Sequence, residues 1–194
     1  MADRMIAWLE QQSPDVWHVI AQNINWGFGT NVLRWIVGHP QCDRATAQQL
    51  LLVNDGGWDM EGAAGADSYK FDQEPADSND AGIFGTIVQR WNAGNYVRSE
   101  IRSYDGFEGD AKRFLAQKSN DPDCYWAIVE TIGDRIEGKP ALSLSNQLVS
   151  FELRVLFTEK GSFFSFDDEN QESDFTVWCI ENGFESAIRW SWQK

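Results

Sequence analysis

His18 and His39 are the only imidazoles in the chain, and Cys42 and Asp43 follow the second within four residues. A His beside a Cys can activate a thiolate nucleophile, and a His, Cys and Asp set can hold a divalent metal that activates water. Both chemistries need the side chains to converge, yet the spacing matches neither HExxH nor CxxC. His39 lies in Gly38-His39-Pro40, a helix stop where the ring can approach the last carbonyls of the preceding helix. The residues therefore read as structural, and no catalytic or metal-ligating residue is assigned. The alternative is a metal-dependent or Cys/His hydrolase built from His18, His39, Cys42 and Asp43.

Acid–base catalysis by paired carboxylates needs two of them in unlike surroundings. Asp55, Asp59, Glu61, Asp167, Asp168 and Glu169 all fall in polar segments that read as solvated faces. The run Asp168, Asn170, Glu172 resembles the start of a calcium loop, but Ser173 stands where that loop needs Gly and Cys179 where it needs a bidentate Glu. GxxxxGK[ST], GxGxxG and GxSxG are all missing, so no phosphate cradle or nucleophile elbow is expected, and no cofactor.

The formal charge is −14, and it is concentrated. Residues 51–80 hold eight acids against Lys70 alone, and residues 161–194 hold seven against Arg189 and Lys194. Such a field repels nucleic-acid phosphates and anionic membrane and speeds encounter with a basic partner. Binding to nucleic acid or membrane is therefore not expected. Three cysteines, Cys42, Cys124 and Cys179, are an odd and scattered set that fits a reducing compartment. The first residues lack a basic stretch followed by an apolar one, and no run approaches the roughly 18 apolar residues of a membrane span, so the cytoplasm is the expected location.

With 194 residues, 42% of them apolar, ten Trp and twelve Phe, the chain has ample material for a core. Met5, Ile6, Trp8 and Leu9 mark a first helix. Ser13-Pro14 starts a second, with Ser13 as cap, Pro14 at the first helical position and Trp17, Ile20 and Ile24 following at helical spacing. Val32, Leu33, Ile36 and Val37 give a third stripe after the Asn25-Trp26-Gly27-Phe28-Gly29 turn, and Asp43 caps a fourth carrying Ala47, Leu50 and Leu51. Residues 55–82 read as a long acidic loop. Further helices are expected over Phe84 to Trp91, around Ala111 to Leu115, and from Tyr125 to Ile132.

Beyond residue 146 the period changes. Phe151, Leu153, Val155 and Phe157 alternate, as do Phe184, Ser186, Ile188, Trp190 and Trp192, and Asn182-Gly183 is a strong hairpin signal. The fold expected is α+β, with a helical domain over 1–146 followed by a four-stranded antiparallel β-meander over 147–194. The alternative is an all-α chain, with helices over 145–158 and 174–182 and Gly183 as a helix stop.

Trp17-His18-Val19-Ile20-Ala21, Asn23 to Gly27, Val32-Leu33-Arg34-Trp35-Ile36 and His39-Pro40-Gln41-Cys42-Asp43-Arg44-Ala45-Thr46-Ala47 fall in an unusual order. Over residues 14–52 this order resembles a small bacterial family catalogued as a domain of unknown function. Its pattern is a Trp-His start, an Asn-Trp-Asp turn, a Trp-Ile helix and a Cys-Asp-x-Ala-Thr-Ala helix start, and Gly27 stands where the family has Asp. The resemblance implies no activity.

The function expected is a non-enzymatic protein-binding module, by analogy of size and charge an immunity or inhibitor protein acting on a basic partner. The residues expected to meet that partner are Trp17, His18, Asn25 and Trp26, an aromatic and polar mixture, together with Asp59, Glu61, Asp167 and Asp168 in the acidic segments.

Overall fold

A computed structural model describes residues 4–24, 26–52, 82–103, 120, 129–142, 150–159 and 169–191. Helix α1, Arg4–Leu9, buries Met5 and Leu9, and α2 follows over Pro14–Asn23 with Pro14 in its first turn, where a missing N–H leaves no bond unmade. Ser13 takes the cap position, but its hydroxyl makes no cap hydrogen bond; its carbonyl instead accepts the amides of Val16 and Trp17. The indole N–H of Trp17 donates to the Leu9 carbonyl at 2.8 Å, which ties the end of α1 to α2.

Helix α3, Trp26–Gly38, starts earlier than its apolar stripe implies, and α4 spans Arg44–Leu52. Gly29, in the first turn of α3, makes room for the buried Ile24 side chain, because a Cβ at that position would lie 2.7 Å from it. Helix α5, Gly82–Asn92, packs across α3 and α4. It ends in a Schellman turn: Gly94 has φ +69°, the Asn95 amide bonds the Arg90 carbonyl and the Gly94 amide bonds that of Trp91.

From Arg98 to Ser103 the chain is extended and runs between two partners. Asp43 and Arg98 form one isolated parallel bridge, and Ile101 and Lys139 form another. The second approach is so close that a Cβ on Gly138 would lie 2.5 Å from the Glu100 carbonyl oxygen. A 3-10 turn over Glu130–Gly133 buries Ile132 beside this crossing.

The β-meander expected over 147–194 is not what the chain forms. Its described residues make three helices, α6 over Phe151–Glu159, α7 over Glu169–Glu181 and α8 over Glu185–Ser191, and no strand occurs among the described residues, so the all-α alternative holds. Two physical reasons account for the difference. Residues 153 to 157 of α6 are all buried, because Leu153, Leu156 and Phe157 enter the main core while Val155 faces a second cluster with Phe175, Cys179 and Ala187. A helix buried all round leaves alternation without meaning.

Asn182-Gly183 is likewise a helix stop and not a hairpin. Gly183 has φ +76°, the Phe184 amide reaches the Cys179 carbonyl at 2.8 Å, and the Phe184 ring stacks on Trp178 with centroids 5.6 Å apart. Arg4 of α1 pairs with Glu159 at 2.6 Å and lies 4.7 Å from the centroid of the Phe184 ring, so the first helix touches the last residue of α6 and the turn between α7 and α8. The expected helix around 111–115 lies outside the described residues, as does all of the acidic loop expected over 55–82 except Gly82, which begins α5. Of the helix expected from Tyr125 to Ile132 only 129–132 are described, and they correct it: Val129 is extended and 36% exposed, and Glu130–Gly133 form a 3-10 turn.

Candidate functional site

The residues singled out at the start of the chain meet the core by separate routes. Asp43 is 1% exposed. One carboxylate oxygen, Oδ1, accepts the Ala45 amide at 2.9 Å, the N-cap bond expected of it. The other, Oδ2, accepts the amides of Glu100 at 2.8 Å and Ile101 at 3.3 Å and lies 3.6 Å from Nε of Arg98. Arg98 also meets Asp15 at 3.5 Å and Glu100 at 2.7 Å, and Lys139 meets Asp15 at 2.8 Å. This buried carboxylate holds α4 to the extended segment through three backbone amides.

His18 is 3% exposed on α2. Its Nδ1 is 2.9 Å from the Thr46 hydroxyl, its Nε2 is 2.9 Å from the Gln22 amide nitrogen, and that nitrogen also donates to Gln49 Oε1 at 2.8 Å. With Gln22 as the donor, Nε2 is the acceptor and Nδ1 carries the proton. Burial pushes the imidazole down to about 4, against a smaller upward pull from Asp15, so the ring is neutral at pH 7. It joins α2 to α4 as a polar pin.

His39 belongs to a different neighbourhood. Its Nδ1 accepts the Gln41 amide at 3.1 Å, and its ring lies against Trp17 at 4.6 Å and Trp35 at 5.0 Å between centroids. Desolvation, then the Arg90 guanidinium, lower its pKa, opposed by Glu10. Cys42 is 1% exposed, and burial, reinforced by Asp43, pushes its thiol up to about 12. A thiol so protonated is no nucleophile at neutral pH. Among the described residues no three His, Cys, Asp or Glu side chains gather as a metal site.

Of the residues expected to meet a partner, Trp17 and His18 are both 3% exposed and lie in the core. Trp26 falls on the first turn of α3, and Asn25, Asp59, Glu61, Asp167 and Asp168 lie outside the described residues. Sequence reasoning missed a polar hub at Gln48. Its amide donates to the carbonyls of Ile132 at 2.7 Å and Asp134 at 2.8 Å, and it accepts the Ser103 hydroxyl at 2.7 Å. These partners are 55 to 86 positions away, so nothing local announced them.

Sequence reasoning also missed a surface. The inner side of α7 carries Phe175 and Cys179 into the second cluster, whereas Val177 and Ile180 on the other side are 51% and 56% exposed. Asp174, Glu181 and Glu185 are exposed around them and make no ion pair among the described residues. No described helix is long and apolar enough to cross a membrane.

No curated protein and no solved structure matches the chain. A family model does, over residues 12–81, a span that takes in α2, α3 and α4 with Asp43 and His18. Its description gives neither an activity nor a source, so the likeness to bacterial immunity proteins, drawn from size and charge, gains no support from it. Residues 12–81 are thus similar to the family described as Domain of unknown function (DUF4274).

Proposed function

We propose that the chain is a protein-binding module whose partner is basic. The observation that carries this reading is the negative surface of α7 and α8. Between Glu169 and Ser191 the sequence has Glu169, Glu172, Asp174, Glu181 and Glu185 against Arg189 alone. Three of these acids, Asp174, Glu181 and Glu185, are exposed. These three carboxylates make no ion pair among the described residues, and an exposed carboxylate without a counter-ion keeps its field for an approaching cation. The groups that could have performed chemistry support the same reading from the other side, because Asp43, His18 and Cys42 are each buried among structural contacts.

The test is capture of a partner from a lysate of the parent cell by the tagged chain, at about 0.05 M and about 0.5 M salt, alongside the charge-reversed variant D174K/E181K/E185K. A partner held by the parent chain at low salt, and lost both at high salt and with the variant, is the expected result. Equal capture by the two chains, or an empty parent chain at both salt concentrations, would overturn the reading.

A further inference from the structure

We infer that the outward face of α7, Val177 and Ile180 set between Asp174 and Glu181, docks a short basic amphipathic helix of a partner protein. The inference rests on the binding reading above and gives it a place and a shape. Among the described residues the large apolar side chains that stand out of the surface are Val97, Val129, Leu142, Val177 and Ile180. The first three stand singly along the chain. Val177 and Ile180 are one helical turn apart on the same side of α7, so they present a continuous apolar spot about 5 Å long.

Charge decides what can cover that spot. Asp174 lies three residues before Val177, and Glu181 four residues after it, so a carboxylate stands one turn away along the same stripe in each direction. A second copy of the chain laid on this face would bring acid against acid at both ends. A partner that brings Lys or Arg to each end gains where a second copy loses.

The secondary structure decides the rest. A peptide that binds by strand addition needs a sheet edge, and the described residues offer none. The backbone groups of α7 are spent within the helix, so recognition must be made through side chains. A helix laid along α7 does this: its own apolar pair sits between Val177 and Ile180, and basic residues flanking that pair reach Asp174, one turn before Val177, and Glu181, next to Ile180.

The probe is a synthetic peptide of about 16 residues with leucines at helical i, i+3 and i+4 spacing and lysines flanking them. Its control is a peptide of the same composition scrambled so that no apolar face forms. Binding to the full chain is read by fluorescence anisotropy, with V177S/I180S and D174N/E181Q as variants of exposed positions and circular dichroism as a check that both remain folded. The expected result is binding of the amphipathic peptide that weakens about tenfold or more in each variant, with the scrambled peptide bound no better than the variants bind the amphipathic one. Equal binding of both peptides, or binding of the amphipathic peptide unchanged in V177S/I180S, would overturn the inference. If the peptide fails while salt-sensitive capture from lysate survives in the parent chain and is lost on charge reversal, the binding reading stands and the helix is the wrong occupant. If capture fails too, both fall.

Discussion

The Asp43 carboxylate lies 2.8 Å from the backbone amide of Glu100, a residue 57 positions further along the chain. The same side chain caps α4 through Ala45, so one buried charge fixes both the start of a helix and the path of the segment that crosses it. Removing it leaves the amides of Glu100 and Ile101 without their acceptor and takes from Arg98 one of the three carboxylates around it. Asp43→Ala is expected to cost about 3–5 kcal/mol, the usual consequence of breaking a buried charge network on one side. Asp43→Asn keeps one acceptor oxygen and should cost less. Urea unfolding of the three proteins measures both, and an Ala variant within about 1 kcal/mol of the parent would show that the network is not structural.

Two glycines carry different burdens and should separate on substitution. At Gly183, φ +76° makes a Cβ strained although nothing stands in its way, so Gly183→Ala is expected to cost about 1–2 kcal/mol. At Gly138 a Cβ meets backbone, the Glu100 oxygen at 2.5 Å and the Ile101 carbonyl carbon at 2.7 Å, and neither can swing aside as a side chain would. Gly138→Ala should therefore cost about as much as overpacking a core, 1–3 kcal/mol, and should also disturb the Arg102 and Lys139 amides, which bond across the crossing. Hydrogen exchange of those two amides distinguishes the cases: accelerated in the Gly138 variant beyond its global loss, unchanged in the Gly183 variant beyond its own.

What the sequence made legible is what is settled within a few residues. Pro14 at the start of α2, Asp43 capping α4 and the Val32 to Val37 stripe all act over one or two turns, and each was readable. The last helices were misread because their local signals have two meanings. Asn-Gly supplies the left-handed residue that a tight hairpin needs, but a Schellman stop needs it as well, and only the carbonyl of Cys179, behind the turn, tells them apart. Phe184, Ala187 and Ile188 are the helix's inward positions, and the alternation of Phe184, Ser186 and Ile188 overlaps that spacing at both ends. Trp17 was legible on the stripe it shares with Ile20 and Ile24, but its spacing and that of His18 fitted a binding surface as well, since an imidazole or indole suits a surface and a satisfied interior equally. Thr46, which receives the imidazole, is 28 positions away.

His18 also sets a pH dependence with a definite sign. Its pKa falls from an ordinary 6.5 to about 4 on folding, so the unfolded chain binds the proton more readily than the native one. Stability is whole above pH 6.5 and is lost progressively as pH falls from 6.5 to 4, where the native ring too becomes protonated. The shift corresponds to about 3 kcal/mol at the acid end. His18→Gln removes the titration. Subtracting its urea midpoints from those of the parent chain between pH 7 and pH 4 isolates this one group from the carboxylates, which titrate in both proteins. Parallel stability curves for the two would show that the ring is not held neutral.

Cys42 offers a last test of the same interior. Raised to about 12, its thiol is almost wholly protonated at pH 8, and at 1% exposure it is closed to reagents as well. Alkylation by iodoacetamide at pH 8, followed residue by residue with mass spectrometry, should therefore report opening of the fold and not thiol chemistry. The rate at Cys42 is expected to rise in step with urea below the unfolding transition, and to rise in Asp43→Ala, whose lost carboxylate would unfasten the start of α4 beside it. An alkylation rate at Cys42 equal to that of a free thiol in water, with the chain fully folded, would mean that the residue is accessible and reactive. It would return the Cys42 and His39 pair, whose main chains are joined through the Cys42 amide and the His39 carbonyl at 3.0 Å, to consideration as a catalytic centre.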